Sequence, residues 1–264
     1  MIKVCVAGAT GWVGKPLCEA IAKADDMTLT GAVSRSAAGK DIASMIPGVG
    51  TLVGARSVAE ALNAPADVLV DYTKADVVKE NVMTAIEKGV HVVIGSSGLT
   101  DADFEEIDSS AREHRVGVIA AGNFAITAVL LQRFACEAAK YLSQWELIDY
   151  ASDRKPDAPS GTARELAYRL AEVRKPASTI RVEDTLGERA TRGATINGIQ
   201  VHSIRLPGYV IGVEAIFGAK DERLTLRHDA GAGAEPYIAG TMLAIRKVAG
   251  HTGLVRGLDR IMDE

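Results

Sequence analysis

"IKVCVAGATGWVGKPLCEAIAKA", Ile2 to Ala24, is the stretch that decides the fold. Ile2, Val4 and Val6 suit a buried strand. Leu17, Ala20, Ile21 and Ala24 recur at helical spacing. Between them, Gly8, Gly11 and Gly14 fit G-x-x-G-x-x-G. Glycine permits a sharp turn and a close approach of backbone to a pyrophosphate. The helix N-terminus behind it offers unpaired N–H groups and the positive end of a dipole. A glycine triplet alone is weak evidence and could be only a tight turn. Here it follows a strand and opens a helix, which is the context that dinucleotide binding requires.

The next strand-like run, "MTLTGAVSRSAAGK", bears on which dinucleotide. An acid at the end of this strand would bond the ribose 2′-hydroxyl of NAD. The chain has Ser34-Arg35-Ser36 instead, with Lys40 nearby and no carboxylate before Asp41. A guanidinium with two hydroxyls suits a 2′-phosphate. The expectation is NADPH, with NADH possible; a solvated surface arginine is the plain alternative.

More strand-helix units follow. "ADVLVDYTKADVVKENVMTAIEKG", "VHVVIGSSGLTDADFEEIDSSARE" and "RVGVIAAGNFAI" each begin with a buried strand. Such alternation implies α/β architecture with a doubly wound parallel sheet. Ligands in such sheets sit beyond the carboxyl ends of the strands. The loops there join the glycine turn as cofactor candidates. They are Gly8, Ala9, Thr10, Gly11, Trp12 and Val13; Ser34, Arg35 and Ser36; Tyr72 and Thr73; Gly95, Ser96 and Ser97; and Ala121, Gly122, Asn123 and Phe124.

The alternation stops after Phe124. A helix is expected from about Thr127 to Leu142, followed by strand-like "WELIDYAS", "TIRVED", "QVHSIRLPGYVIGVEAIFG" and "RLTLRHDA". These predict a smaller α+β domain with a mixed or antiparallel sheet. "AEPYIAGTMLAIRKVAG" is helical again. The expected division is residues 1–124 for the dinucleotide, completed by 232–264, and 125–231 for substrate binding and oligomerisation.

Within the second domain, "ASDRKPDAPSGTARELA" (Ala151–Ala167) carries an anion-binding pattern. Ala163, Leu166, Ala167 and Leu170 mark a helix face, and Ser160 is the expected N-cap. The N–H groups of Gly161 and Thr162 then favour a carboxylate or phosphate. Lys155 adds positive charge and a candidate proton donor. A capped helix beside a surface lysine explains the same residues without a ligand.

Composition sets the outer bounds. Of 264 residues, 47% are hydrophobic and 24% charged, as in an ordinary globular protein. A net charge of -4 argues against a nucleic-acid partner. No apolar run reaches the roughly 18 residues of a membrane span. Met1 leads straight into a strand, so no signal peptide is expected. Cys5, Cys18 and Cys136 form no paired motif, which suits a cytoplasmic setting. The five histidines are scattered, so no metal site is expected, and no G-x-S-x-G elbow marks a hydrolase.

The run "RKPDAPSGTA" resembles the signature of bacterial dihydrodipicolinate (4-hydroxy-tetrahydrodipicolinate) reductases. The N-terminal glycine loop, "DYT", "GSSG", "GNF" and "VHSIRLPGYVIG" resemble further motifs of that family in the same order. The resemblance covers most of the chain. It implies a Rossmann domain, a smaller mixed-sheet domain, and a homotetramer joined through that sheet. It implies hydride transfer to a cyclic imine or enamine dicarboxylate, the activity used in lysine biosynthesis. By position, Lys155 matches the family's catalytic or substrate-binding lysine, and Gly161 and Thr162 its carboxylate-binding pair. Ser160 and Ser152 complete the substrate-binding candidates.

The departures concern proton supply. The family writes H-H-x-x-K where this chain has Ala151 and Ser152 before Lys155. Its G-E-H-T segment reads Gly212-Val213-Glu214-Ala215, and the loop after His228 lacks an arginine. No imidazolium can come from positions 151 or 152. These residues predict weak activity on the lysine-pathway substrate and better activity on another carboxylated imine. A paralogous imine or carbonyl reductase is the alternative, and a low-turnover cofactor sensor ranks last. His202 reads as structural. Asp149, Asp153 and Asp157 read either as solvated acids or as groups that orient Lys155.

Overall fold

The structure, a computed structural model, describes residues 1–263. It divides into two compact units, Met1–Ile126 with Ala234–Glu264, and Thr127–Gly233.

In the first unit the elements run β1 (Ile2–Ala7), α1 (Gly14–Lys23), β2 (Met27–Val33), α2 (Val58–Ala61), β3 (Val68–Asp71), α3 (Val78–Glu87), β4 (His91–Ile94), α4 (Asp101–Glu113) and β5 (Gly117–Ala120). The second unit holds most of α5 (Ile126–Tyr141), then β6 (Gln144–Ala151), α6 (Gly161–Val173), β7 (Ala194–Ile196), β8 (Ile199–Arg205), β9 (Ile211–Ala219) and β10 (Glu222–Ala230). The chain then returns to the first unit as α7 (Glu235–Lys247) and β11 (Gly253–Arg256).

The first sheet has the order β11-β5-β4-β3-β1-β2, and every pairing is parallel. Its strands are short apolar runs because helices cover both faces. Val4, Cys5, Val6 and Ala7 are all buried, as are all four residues of β3. From β1 the chain winds outward to β2, then crosses back to β3 on the other side. The reversal opens a crevice at the carboxyl ends of β1 and β3, the usual ligand position of this Rossmann-type architecture. The glycine turn, Asp71-Tyr72-Thr73 and Gly95-Ser96-Ser97 lie along that edge.

The second sheet is mixed, in the order β10-β9-β6-β8-β7. Only β6 and β8 pair in parallel; the others are antiparallel. Trp145, Leu147, Val201, Val213, Ala215 and Phe217 form one face, packed with Leu131 and Ala135 of α5 and Leu166 and Leu170 of α6. Period-two alternation therefore gives β6 one buried side, apolar except for Asp149, and one more exposed side.

Two expectations change, and two strands are added. "TIRVED" is not a strand: Ile180 is 66% exposed, and Arg181 Nε donates to Asp184 Oδ2 at 2.7 Å. The backbone closes a single 3-10 turn, Val182–Asp184, in place of a ladder: Asp184 N donates to the Arg181 carbonyl at 3.0 Å and Thr185 N to the Val182 carbonyl at 3.2 Å. The long run from Gln200 to Gly218 is two strands, because Pro207 lacks an N–H and Gly208 sits at φ +93°. The short strands β7 and β11, with three and four residues, carried too little periodicity to be read from sequence.

Candidate functional site

The nucleotide half is built around the start of α1. Gly8 adopts φ +84°, and a Cβ there would lie 2.4 Å from the Tyr72 carbonyl oxygen. A Cβ on Gly14 would lie 2.0 Å from the Gly8 oxygen. Both glycines are thus required by the packing of the turn itself. What favours an anion is the helix end: no described side chain caps α1, and no acid occupies its first turn. The positive end of the α1 dipole fits the charge of a pyrophosphate.

The adjacent hydroxyls are linked. Thr10 Oγ1 lies 2.6 Å from Ser34 Oγ, which lies 3.1 Å from Ser36 Oγ. Ser34 is buried and Arg35 exposed beside it, while Lys40 Nζ donates to the Ser36 carbonyl at 3.0 Å. Trp12 is 60% exposed in the turn, with its ring 5.6 Å from that of Tyr237 in edge-on contact.

Asp71 organises the neighbouring loops. This fully buried carboxylate accepts from Thr73 N at 2.9 Å, Thr73 Oγ1 at 2.6 Å, Ser96 Oγ at 2.6 Å and Asn81 Nδ2 at 2.8 Å. The sequence places Asp71 at the carboxyl end of its strand, in the loop expected beside the nicotinamide, but gives it no role of its own. Its signal was an acid closing an otherwise wholly apolar strand. Tyr72 turns inward: its hydroxyl meets Thr241 Oγ1 at 2.6 Å, and its ring packs edge-on to Phe124. Burial pushes that phenol well above its ordinary range. Asn123 Oδ1 accepts from Ala125 N at 2.8 Å, shaping the turn into Phe124. Ser97 and Gly122 are exposed, and Ala121 and Val13 are partly so.

The second unit holds the anion segment. Ser160 caps α6, its Oγ accepting from Ala163 N at 3.3 Å. Gly161 is exposed, and a Cβ there would meet open space. Lys155 Nζ lies 2.8 Å from Asp157 Oδ1. That hydrogen bond holds the Asp157 carboxyl below the usual carboxylate range. Ser152 is occupied locally: its Oγ accepts from Arg154 N at 3.3 Å and lies 3.1 Å from Asp153 Oδ1.

The acids separate by environment. Asp153 and Asp157 are exposed, whereas Asp149 is fully buried and paired with Arg205 at 2.7 Å. His202 Nε2 bonds Glu146 Oε2 at 2.7 Å on the sheet face away from the helices. His228 Nδ1 meets Thr127 Oγ1 at 3.2 Å, and burial lowers its pKa. Ala151 is 0% exposed at the end of β6. Tyr150 Oη donates to Glu214 Oε2 at 2.8 Å, and burial pushes its phenol up to about 12.

Known proteins agree with this architecture along its whole length. The family model described as "Dihydrodipicolinate reductase, N-terminus" matches residues 2–124, and "Dihydrodipicolinate reductase, C-terminus" matches residues 127–262. A 4-hydroxy-tetrahydrodipicolinate reductase of Desulfitobacterium hafniense is 39% identical over 265 residues, covering 99% of each chain. That of Synechococcus elongatus is 41% identical over 271 residues, covering 99% of this chain and 98% of the relative. Among solved structures, dipicolinate-bound dihydrodipicolinate reductase from Paenisporosarcina sp. TG-14 superposes with a TM-score of 0.86 at 32% identity, covering 99% of this chain and 100% of that one. An amine dehydrogenase from Mycobacterium smegmatis, at 15% identity and TM-score 0.68, shares the fold. With both family models matched in order and full-length relatives well above 30% identity, the chain belongs to the dihydrodipicolinate reductase family of nicotinamide-dependent oxidoreductases.

Proposed function

We propose that the chain reduces a cyclic imine or enamine bearing carboxylates, with NADPH as the preferred reductant and NADH as a second. The substrate of 4-hydroxy-tetrahydrodipicolinate reductases is the reference member of that class. The observation that carries the reading is the start of α6: a capped helix end, an exposed Gly161 and a cation at Lys155 within one segment. Helix dipole and lysine charge both favour an anion there.

A bound reduced nicotinamide supplies the hydride. The residues proposed to hold it are the glycine turn from Gly8 to Val13, the hydroxyls of Ser34 and Ser36, and Arg35. Tyr72, Thr73, Gly95, Ser96, Ser97, Ala121, Gly122, Asn123 and Phe124 shape the same sheet edge. Gly161, Thr162, Ser160 and Ser152 are proposed for the substrate, and Lys155 for proton delivery. Hydride adds to the electrophilic carbon, and the electron pair of the double bond moves to nitrogen or carbon, where a proton must arrive. Lys155 Nζ supplies it, and water then restores the ammonium.

A second reading keeps the scaffold and changes the substrate. Ala151 is fully buried and the Ser152 hydroxyl is engaged with its own turn, so neither supports proton donation. An already protonated cyclic iminium needs no further proton in the hydride step. We further propose a homotetramer joined through the second sheet, and a cytosolic enzyme. The part-buried Ile148, Ile204 and Ile216 on the sheet face away from the helices support the first. The second is in keeping with three cysteines that form no disulfide among the described residues.

NADPH oxidation over a panel of cyclic imines and keto acids tests the reading. Turnover confined to carboxylated imines supports it; tight NADPH binding with no turnover on any of them favours a cofactor sensor. Light scattering of the purified protein measures the subunit count.

A further inference from the structure

We infer that the fully buried Asp149 and the part-buried Arg205 form a positioning pair that holds the Asp157–Ser160 turn in its carboxylate-binding geometry. The inference rests on the proposed substrate site at the start of α6. Asp149 lies on β6, two residues before Ala151, with no exposed surface. Its Oδ2 accepts three hydrogen bonds: Ser160 N at 2.9 Å, Ser203 Oγ at 3.1 Å and Arg205 Nη2 at 2.7 Å. Arg205, on β8, extends the same Nη2 to the Asp157 carbonyl at 2.7 Å, while Nη1 donates to the Ile204 carbonyl at 2.9 Å. The pair therefore grips the turn at both ends, through backbone atoms of Asp157 and Ser160.

Stability alone is a poor reason for this arrangement. Buried ion pairs gain little over apolar residues of similar volume. Here Asp149 Oδ1 and Arg205 Nε are buried without a partner among the described residues, a further cost. The contacts instead fix a turn that ends in Ser160, the N-cap, and passes directly into Gly161 and Thr162. Charge gives a second reason. An unneutralised carboxylate touching the Ser160 amide would oppose an incoming anion at the helix end, where a negative group is otherwise favoured. Arg205 cancels that charge while Nη2 bridges Asp149 Oδ2 and the Asp157 carbonyl and Nη1 reaches the Ile204 carbonyl, a planar set of two donor nitrogens that a single, shorter-reaching lysine ammonium does not reproduce.

The test uses the full-length enzyme and dipicolinate as the carboxylate probe. Arg205→Lys keeps the charge opposite Asp149 but shortens the reach and removes the Nη2 bridge between Asp149 Oδ2 and the Asp157 carbonyl. We expect dipicolinate affinity to fall about tenfold and KM for the imine substrate to rise about tenfold. Both kcat and NADPH affinity should change less than about twofold, since only binding geometry is disturbed. Amide hydrogen exchange should quicken at residues 157–162 and not across the second unit. Arg205→Gln is measured alongside, in case the lysine variant folds poorly; it also leaves the Asp149 charge unneutralised, so dipicolinate affinity should fall further than in Arg205→Lys, with NADPH affinity again unchanged. Unchanged dipicolinate affinity and KM in a folded variant overturns the inference. So does faster exchange throughout the unit, the mark of a merely structural pair. Thr162→Ala serves as the control on the site: if it leaves dipicolinate binding intact, the proposed site itself is wrong. If it weakens binding while Arg205→Lys does not, the positioning role alone fails.

Discussion

Lys155 Nζ and Asp157 Oδ1 stand 2.8 Å apart, across a turn of two residues that precedes the cap of α6. The pair sets the lysine beside the anion segment. Lys155→Ala should lower kcat by about 10²-fold or more if the lysine delivers the proton. NADPH affinity should hold. Asp157 has a lowered pKa, so its pairing persists above that value and is lost as pH falls through it. Unchanged steady-state kinetics in Lys155→Ala removes the lysine from the reaction.

Arg35 should read the 2′-phosphate. It is exposed next to Ser34 and Ser36, whose hydroxyls are tied to Thr10 of the glycine turn. Arg35→Ala should weaken NADPH binding by about 1–3 kcal/mol and spare NADH. Calorimetric titration with both cofactors checks this, and equal losses would falsify the assignment.

Gly14→Ala tests the glycine turn. The added Cβ would fall 2.0 Å from the Gly8 carbonyl oxygen, a backbone atom with no easy retreat. The turn must shift, so NADPH binding and melting temperature should both drop. Trp12, exposed within the turn, offers a fluorescence readout of binding. Full NADPH affinity in the variant would contradict the role given to this turn.

Proton supply can be tested at Ala151 and Ser152. On the altered-substrate reading, the wild-type enzyme should show a kcat/KM on the lysine-pathway substrate below the general range of about 10⁴–10⁸ M⁻¹s⁻¹. A value within that range ends the altered-substrate reading. Ser152→His, at a part-exposed position, should raise the rate on that substrate with NADPH affinity unchanged. Ala151→His must place an imidazole where alanine has no exposed surface, so it should also lower stability.

His91 makes the first unit acid-sensitive. Gly117 N donates to His91 Nδ1 at 2.8 Å, which requires that nitrogen to be unprotonated. Burial lowers the pKa below its ordinary value. The folded state binds fewer protons than the unfolded chain. This contribution is therefore complete above the unfolded pKa of about 6.5 and is lost as pH falls toward the lowered folded value. Denaturant unfolding from pH 8 to 5 should show the decline, and His91→Gln should flatten it.

The local pattern of this chain determined much of its fold. The run from Ile2 to Ala24 specified strand, turn and helix, because apolar period and glycine placement act over a few residues. Ser160 was legible as the cap of α6 for the same reason: its hydroxyl serves an amide three residues on. Tertiary structure alone decided which polar residues became anchors. Asp149 read as one of three comparable acids, yet its partner Arg205 is far along the chain on a neighbouring parallel strand. Tyr72 read as a loop residue, yet its hydroxyl finds Thr241 across 169 positions. "TIRVED" had the period of a strand, but a strand needs a neighbour to complete its ladder, and the Arg181 carbonyl was taken by the Asp184 amide instead. Sequence spacing sets what a segment can become; long-range pairing decides which polar groups leave water, because burial becomes tolerable only when a distant partner arrives.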